Sequence, residues 1–206
     1  MAEEKKSSGS TGGLISFAPW IVFGVASGFN HWRVASGGGL ILCLLSLAVM
    51  RSRGSSIKLM DWTMLAFFVI ASVLTIGLRS ASFPIYNAVI VWSCFAVACW
   101  SSVAVGRPFT EAYARENAPS EFWDNPVFIR LNRLMTLVWC GLMTVNIGIA
   151  AIGVIIGGLV GHLAFGFGLP MAVLLCGFAF NNRFPERYLA QNGFEGFSAS
   201  APVSGA

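Results

Sequence analysis

Charge is what this sequence has least of. Of its 206 residues, 13 are Lys or Arg and 9 are Asp or Glu, and from residue 14 to residue 180 nearly all of them fall outside six long apolar runs. A globular domain carries about 25% charged residues; here 11% are charged, 56% are hydrophobic and the mean hydropathy is +0.72. A soluble core has no use for that composition. Histidine is scarce as well, and none of the apolar runs holds Asp, Glu, Lys or Arg near its centre. Ion-coupled pumps commonly need such groups inside the membrane, so that class is disfavoured. The five cysteines, Cys43, Cys94, Cys99, Cys140 and Cys176, sit within the runs, with no CxxC and no His at ligand spacing. They read as small buried hydrophobes, and no disulfide, metal or cofactor is expected.

What is present is length without charge. The runs cover 14–29, 34–50, 60–78, 84–105, 134–154 and 161–180, and as helices each crosses or nearly crosses a hydrocarbon layer about 30 Å thick. The expected fold is therefore an all-α integral membrane protein, a bundle of six transmembrane helices. Basic residues alternate between the connections. Lys5, Lys6, Arg51, Arg53, Lys58, Arg107, Arg115, Arg130, Arg133, Arg183 and Arg187 fall on one side, and only Arg33 and Arg79 on the other. The positive-inside rule then puts both termini in the cytoplasm. The net charge of +4 is absorbed by topology and lipid headgroups, and no nucleic-acid partner is expected. A cleavable signal peptide is the rival reading of the first run, which ends in the small residues Ala26, Ser27 and Gly28. Glu3 and Glu4 offset Lys5 and Lys6 in front of it, so a retained helix is preferred. Cleavage would leave five spans and an outside N-terminus. Residues 1–13 and most of 181–206 read as disordered cytoplasmic tails around a 14–180 membrane domain.

Within the runs, Gly24 and Gly28 stand four apart and are expected at a close helix contact, whereas the repeat at Gly153, Gly157 and Gly161 suits a turn equally well. Pro19 and Pro170 can bend their helices. Asn87 and Asn146 are expected to hydrogen-bond across helix interfaces; a polar cavity is the minority reading. Ser93, Ser101, Ser102, Thr136 and Thr144 could line a pore, although hydroxyls also satisfy their own helix carbonyls.

The one long connection, 106–133, holds most of the polar information. Thr110 reads as the N-cap of a short interfacial helix, and Asn125-Pro126 as an N-cap followed by proline at the first helical position. Arg107, Phe109, Tyr113, Arg115, Glu116, Trp123 and Arg130 form the candidate interaction loop, its aromatics at headgroup depth beside its arginines. Its carboxylates invite an acid–base reading, but Glu111 and Arg115 are four apart, which suits a surface ion pair. No catalytic constellation emerges from His31, His162 or the loop acids, and no enzyme activity is expected.

The segment Phe17-x-Pro19-x-x-Val22-Phe23 resembles the FxPxxVF opening of the bacterial intracellular septation protein A family, also called the YciB family. Further similarities are Arg107-Pro108-Phe109, then Pro119 and Trp123, then Leu131-Asn132 and Asn146-Ile147-x-Ile149-Ala150. The spacing of Asn132 and Asn146 is close to four helical turns, so the two share a helix face. The resemblance covers residues 14 to about 155, and it departs at the acidic Tyr113–Glu116 stretch, where the family is Lys-rich. It implies a noncatalytic protein of the bacterial inner membrane, acting in envelope maintenance or cell division through contacts with other inner-membrane proteins; membrane lipids and further copies of the chain are expected as partners besides. It brings no catalytic residues. The alternative is a small-solute or lipid-handling transporter or channel with Asn87, Asn132, Asn146 and the Pro170 bend near its pathway; a lipid-modifying enzyme ranks third.

Overall fold

The computed structural model describes residues 18–116 and 118–192, and no strand occurs among them. In chain order the helices are α1 (Ala18–Gly28), α2 (Trp32–Ser52), α3 (Leu59–Gly77), α4 (Phe83–Ala104), α5 (Phe109–Ala114), α6 (Pro126–Ile156) and α7 (Gly158–Gln191). Five of them, α2, α3, α4, α6 and α7, are long and apolar enough to cross a membrane. The described part of the expected first span is α1, about 16 Å long at the helical rise; residues 14–17 of that run lie outside the described residues. By the same measure α6, with 31 residues, and α7, with 34, reach about 46 and 51 Å, beyond the hydrocarbon thickness.

Local chemistry explains where the helices stop. Asn30, Gly54, Arg79, Gly106 and Gly157 all have positive φ, and each follows the end of a helix. A left-handed residue there turns the chain out of the helix and frees its last carbonyls for capping bonds. Lys58 N–H donates to Asp61 Oδ2 at 2.9 Å, so the carboxylate caps the first turn of α3. The expected N-cap at Asn125 is present, its Oδ1 accepting from Val127 N–H at 2.9 Å with Pro126 next. At the α6–α7 turn, Gly157 and Gly158 both have positive φ, which a side chain would resist.

The chain divides into two compact units, residues up to Asn87 and from Ala88 onward. The first is packed by rings. Trp20 stacks on Phe67 at 5.3 Å, Phe23 meets Phe67 and Phe68 edge-on at 5.5 and 5.8 Å, and Trp32 meets Phe83 at 5.9 Å. Phe67, Phe68 and Pro19 are among the most deeply buried side chains. A buried hydroxyl pair, Ser36 with Thr75, joins α2 to the last turn of α3, where the helix widens to π-helical winding over Val73–Gly77.

In the second unit α6 and α7 pack antiparallel along much of their length. Next to the turn, a Cβ on Gly153 would meet Gly161 O at 2.7 Å and Phe165 Cβ at 2.8 Å. These two glycines therefore serve close packing, while Gly157 between them serves the turn. Further along, Trp139 meets Phe178 at 5.2 Å and lies against Gly177. At the far end Leu131, Met135 and Leu189 cluster with Val127, Phe180, Phe184 and Tyr188. The tail expected from residue 181 is thus helical to Gln191, and residues 193–206 lie outside the described set. Pro170 is fully buried and follows a π-helical stretch, Gly161–Gly168. Proline offers no N–H to the carbonyl four residues back and crowds it, and the wider winding ahead of it accommodates both effects.

The glycine expectation for α1 is corrected. A Cβ on Gly24 or Gly28 would meet nothing within 4 Å, so neither marks a close contact. The tight glycines are others: Gly39, whose missing side chain admits the Phe68 ring, and Gly177, where a Cβ would come within 2.6 Å of Leu142.

Candidate functional site

The connection between α4 and α6 is folded down onto α6. Thr110 does not cap α5 as its sequence position suggests; Pro108 precedes the helix and Thr110 lies inside it. Its hydroxyl donates to Asn132 O at 2.7 Å and lies 2.8 Å from Thr136 Oγ1. Thr136 is fully buried, and Asn132 nearly so. Ser102 on α4 accepts from Phe109 N–H at 3.3 Å, a second tether for the start of α5. The physical reason for the correction is that a hydroxyl facing α6 satisfies buried polar groups there, which outweighs an exposed cap.

Beyond α5, Arg115 pairs with Glu111, as the four-residue spacing implies, and its guanidinium lies 5.1 Å from the centre of the Trp123 ring. Trp123 in turn donates from Nε1 to Ala118 O at 3.1 Å. A half-exposed ion pair contributes about 0.3–0.5 kcal/mol and the cation–π contact about 0.5–1 kcal/mol, so together they shape the loop more than they stabilise the protein. Phe109 and Tyr113 meet edge-on at 6.3 Å and are half-buried. Arg107, Glu116, Glu121, Asp124 and Arg130 are exposed. The result is a braced surface of mixed charge held on buried hydroxyls.

The three amides expected within the membrane have separate fates. Asn87 donates from Nδ2 to Pro84 O at 2.6 Å, within its own helix, which corrects the expectation of a bond across helices. Asn132 donates to Phe128 O at 3.0 Å. Asn146 is fully buried, and neither amide atom has a hydrogen-bond partner. Asn132 and Asn146 do lie together on the buried face of α6.

Of the hydroxyls considered for a pore, Ser102 and Thr136 are spent on tethering α5, and Ser101 and Thr144 bond their own helix at Ala98 O and Cys140 O. Trp100 Nε1–H donates to Thr144 at 3.2 Å across α4 and α6. Around that bond lies an open, mostly apolar groove of about 530 Å³ whose lining includes Ser93, Val97, Ser101 and Ile147. Trp100 was not singled out from the sequence; its place one helical turn from Val97 and Ala104 and two from Ser93 was the available signal. All five cysteines are free thiols, and no group of three or more metal-ligating side chains occurs among the described residues.

The chain matches no family model, no curated protein and no solved structure.

Proposed function

We propose that this chain is a noncatalytic inner-membrane protein of the bacterial cell envelope, with six spans and both termini in the cytoplasm, acting in envelope maintenance or cell division through contacts with other membrane proteins. The observation that carries this reading is the 106–133 connection. Thr110 ties it to buried groups of α6, Arg115 is braced by Glu111 and Trp123, and its remaining charges face outward. A connection that only linked two spans would not need these tethers. The alternation of basic residues supports the orientation, and the Phe17–Phe23 and Arg107–Phe109 motifs support the septation-family reading.

Co-purification from mild detergent after crosslinking tests it. Envelope or division proteins are expected with the wild-type chain and are expected to be lost with R115A or W123A while folding is retained. A single homogeneous species under every crosslinking condition would overturn it. Reporter fusions at each connection test the orientation independently.

The groove beside Trp100 and the unpartnered Asn146 amide favour one second reading, a lipid-handling or small-solute transporter. Flux at background in liposomes over a broad set of ions, small solutes and labelled lipids removes it.

A further inference from the structure

We propose that the end of the α6–α7 pair distant from the Gly157 turn binds an anionic phospholipid, its phosphate held between Arg130 and Arg187. The register comes from the seam. Trp139 Nε1–H donates to Asn181 Oδ1 at 3.4 Å, and Leu131 and Met135 cluster with Leu189. The two helices run antiparallel, so Arg130 and Arg187 stand within about one helical turn, about 5.4 Å, of each other in height.

Helical periodicity fixes the flank. Each residue is turned about 100° from the one before. Arg130 immediately precedes Leu131, Arg187 precedes Tyr188 and Arg183 precedes Phe184, and all three of those successors pack in the seam. In an antiparallel pair, the position just before a seam residue faces the same flank on both helices, so these arginines share one side. Asn132, just after Leu131, faces the opposite flank, where Thr110 of α5 is bonded to its carbonyl. Arg133 lies on the back of α6, away from α7, and Glu186, the nearest acid on α7, is turned to that helix's outer side.

Charge and surface fit one occupant. Arg130, Arg183 and Arg187 are exposed, and none has an ion pair among the described residues. Along the same flank toward the membrane centre, α6 exposes Leu134 and Val138, each again just before a seam residue. An apolar strip that ends in unpaired guanidinium groups complements a phospholipid, with an acyl chain along the strip and the phosphate at the arginines. Guanidinium–phosphate pairing is bidentate and strong where neighbouring apolar surface excludes water. Arg183, one turn deeper on the same flank, adds a third positive charge.

This rests on α6 and α7 being membrane-embedded, which is tested separately by resistance to alkaline carbonate extraction. The site itself is tested with the full chain in mild detergent, offered equal amounts of phosphatidylglycerol and phosphatidylcholine of matched acyl chains, with bound lipid counted by native mass spectrometry. Wild type is expected to retain phosphatidylglycerol in excess. R130Q/R187Q is expected to lose that excess by about thirtyfold, at roughly 1 kcal/mol per basic residue near an anionic headgroup. R130K/R187K is expected to keep part of it, and R51Q/R53Q, on another connection, to keep all of it. Equal retention of the two lipids by wild type overturns the proposal, as does a loss in R51Q/R53Q equal to that in R130Q/R187Q. If the double variant does not fold, R187Q alone, at an exposed position, is judged by the same criterion.

Discussion

Glycine does different work in the two units. In the first, Gly39 leaves room for a ring: a Cβ there would lie 2.6 Å from Phe68 Cδ1, and Phe68 belongs to the aromatic cluster of Trp20, Phe23 and Phe67. In the second, Gly153 and Gly161 leave room for backbone, each facing the other's carbonyl. A ring can shift to accept a new methyl group; two helix backbones can do so only by separating. The first unit is thus held by large side chains that interlock, the second by close approach of its helices. The polar groups do not separate the units in this way: each holds a bonded hydroxyl pair, Ser36 with Thr75 and Thr110 with Thr136, and each buries an unpartnered group, Ser72 Oγ in the first and the Asn146 amide in the second.

The largest test of this contrast is F68A. Losing a buried ring costs about 3–5 kcal/mol, measured as reversible unfolding in mixed micelles, and G39A should cost little in the F68A background because its obstacle is gone. G39A remaining equally harmful there would break the ring-packing account. Next is G161A, expected to cost about 1–3 kcal/mol through overpacking. Truncating Phe165 should not rescue it, since the obstacle is the Gly153 carbonyl; G24A and G28A, with open space around them, should fall within about 0.5 kcal/mol of wild type.

N146L has the opposite sign. Replacing an unsatisfied buried amide by an apolar group of similar size should stabilise by about 1–3 kcal/mol in the same assay; a loss of stability would mean that the amide holds a bonded guest. The smallest effect is W100F, which removes one interhelical hydrogen bond and should cost about 0.6 kcal/mol, the average for such bonds in a membrane bundle.

Much of the local structure was legible from residue order. The apolar runs mark α2, α3, α4 and α6 to within a few residues at most ends, and Asn125-Pro126 marks the N-terminal end of α6, which begins eight residues before the apolar run expected at 134. The Glu111–Arg115 pair followed from helical spacing. The misread features were long-range ones. Thr110 has the chemistry of a cap, but a partner 22 residues away claims its hydroxyl. Gly24 and Gly28 have packing spacing without a neighbour, and Asn87 is satisfied three residues back along its own helix. Phe180, Phe184 and Tyr188 recur four apart, a signal that the last helix outruns its apolar stretch.

Residue order by itself determined that the chain is helical, which stretches can enter a membrane and where the connections carry charge, because helix formation and transfer into hydrocarbon depend on local composition. Only the tertiary structure decided which face of each helix meets protein. In a soluble bundle the apolar stripe marks that face, but lipid is as apolar as a core. Here Ile155, Leu159 and Val105 stand exposed, while Ser36, Thr136 and Asn146 are fully buried. With no hydrophobic contrast between the two sides of a span, the choice passes to small residues, hydroxyls and amides, whose partners lie far along the chain.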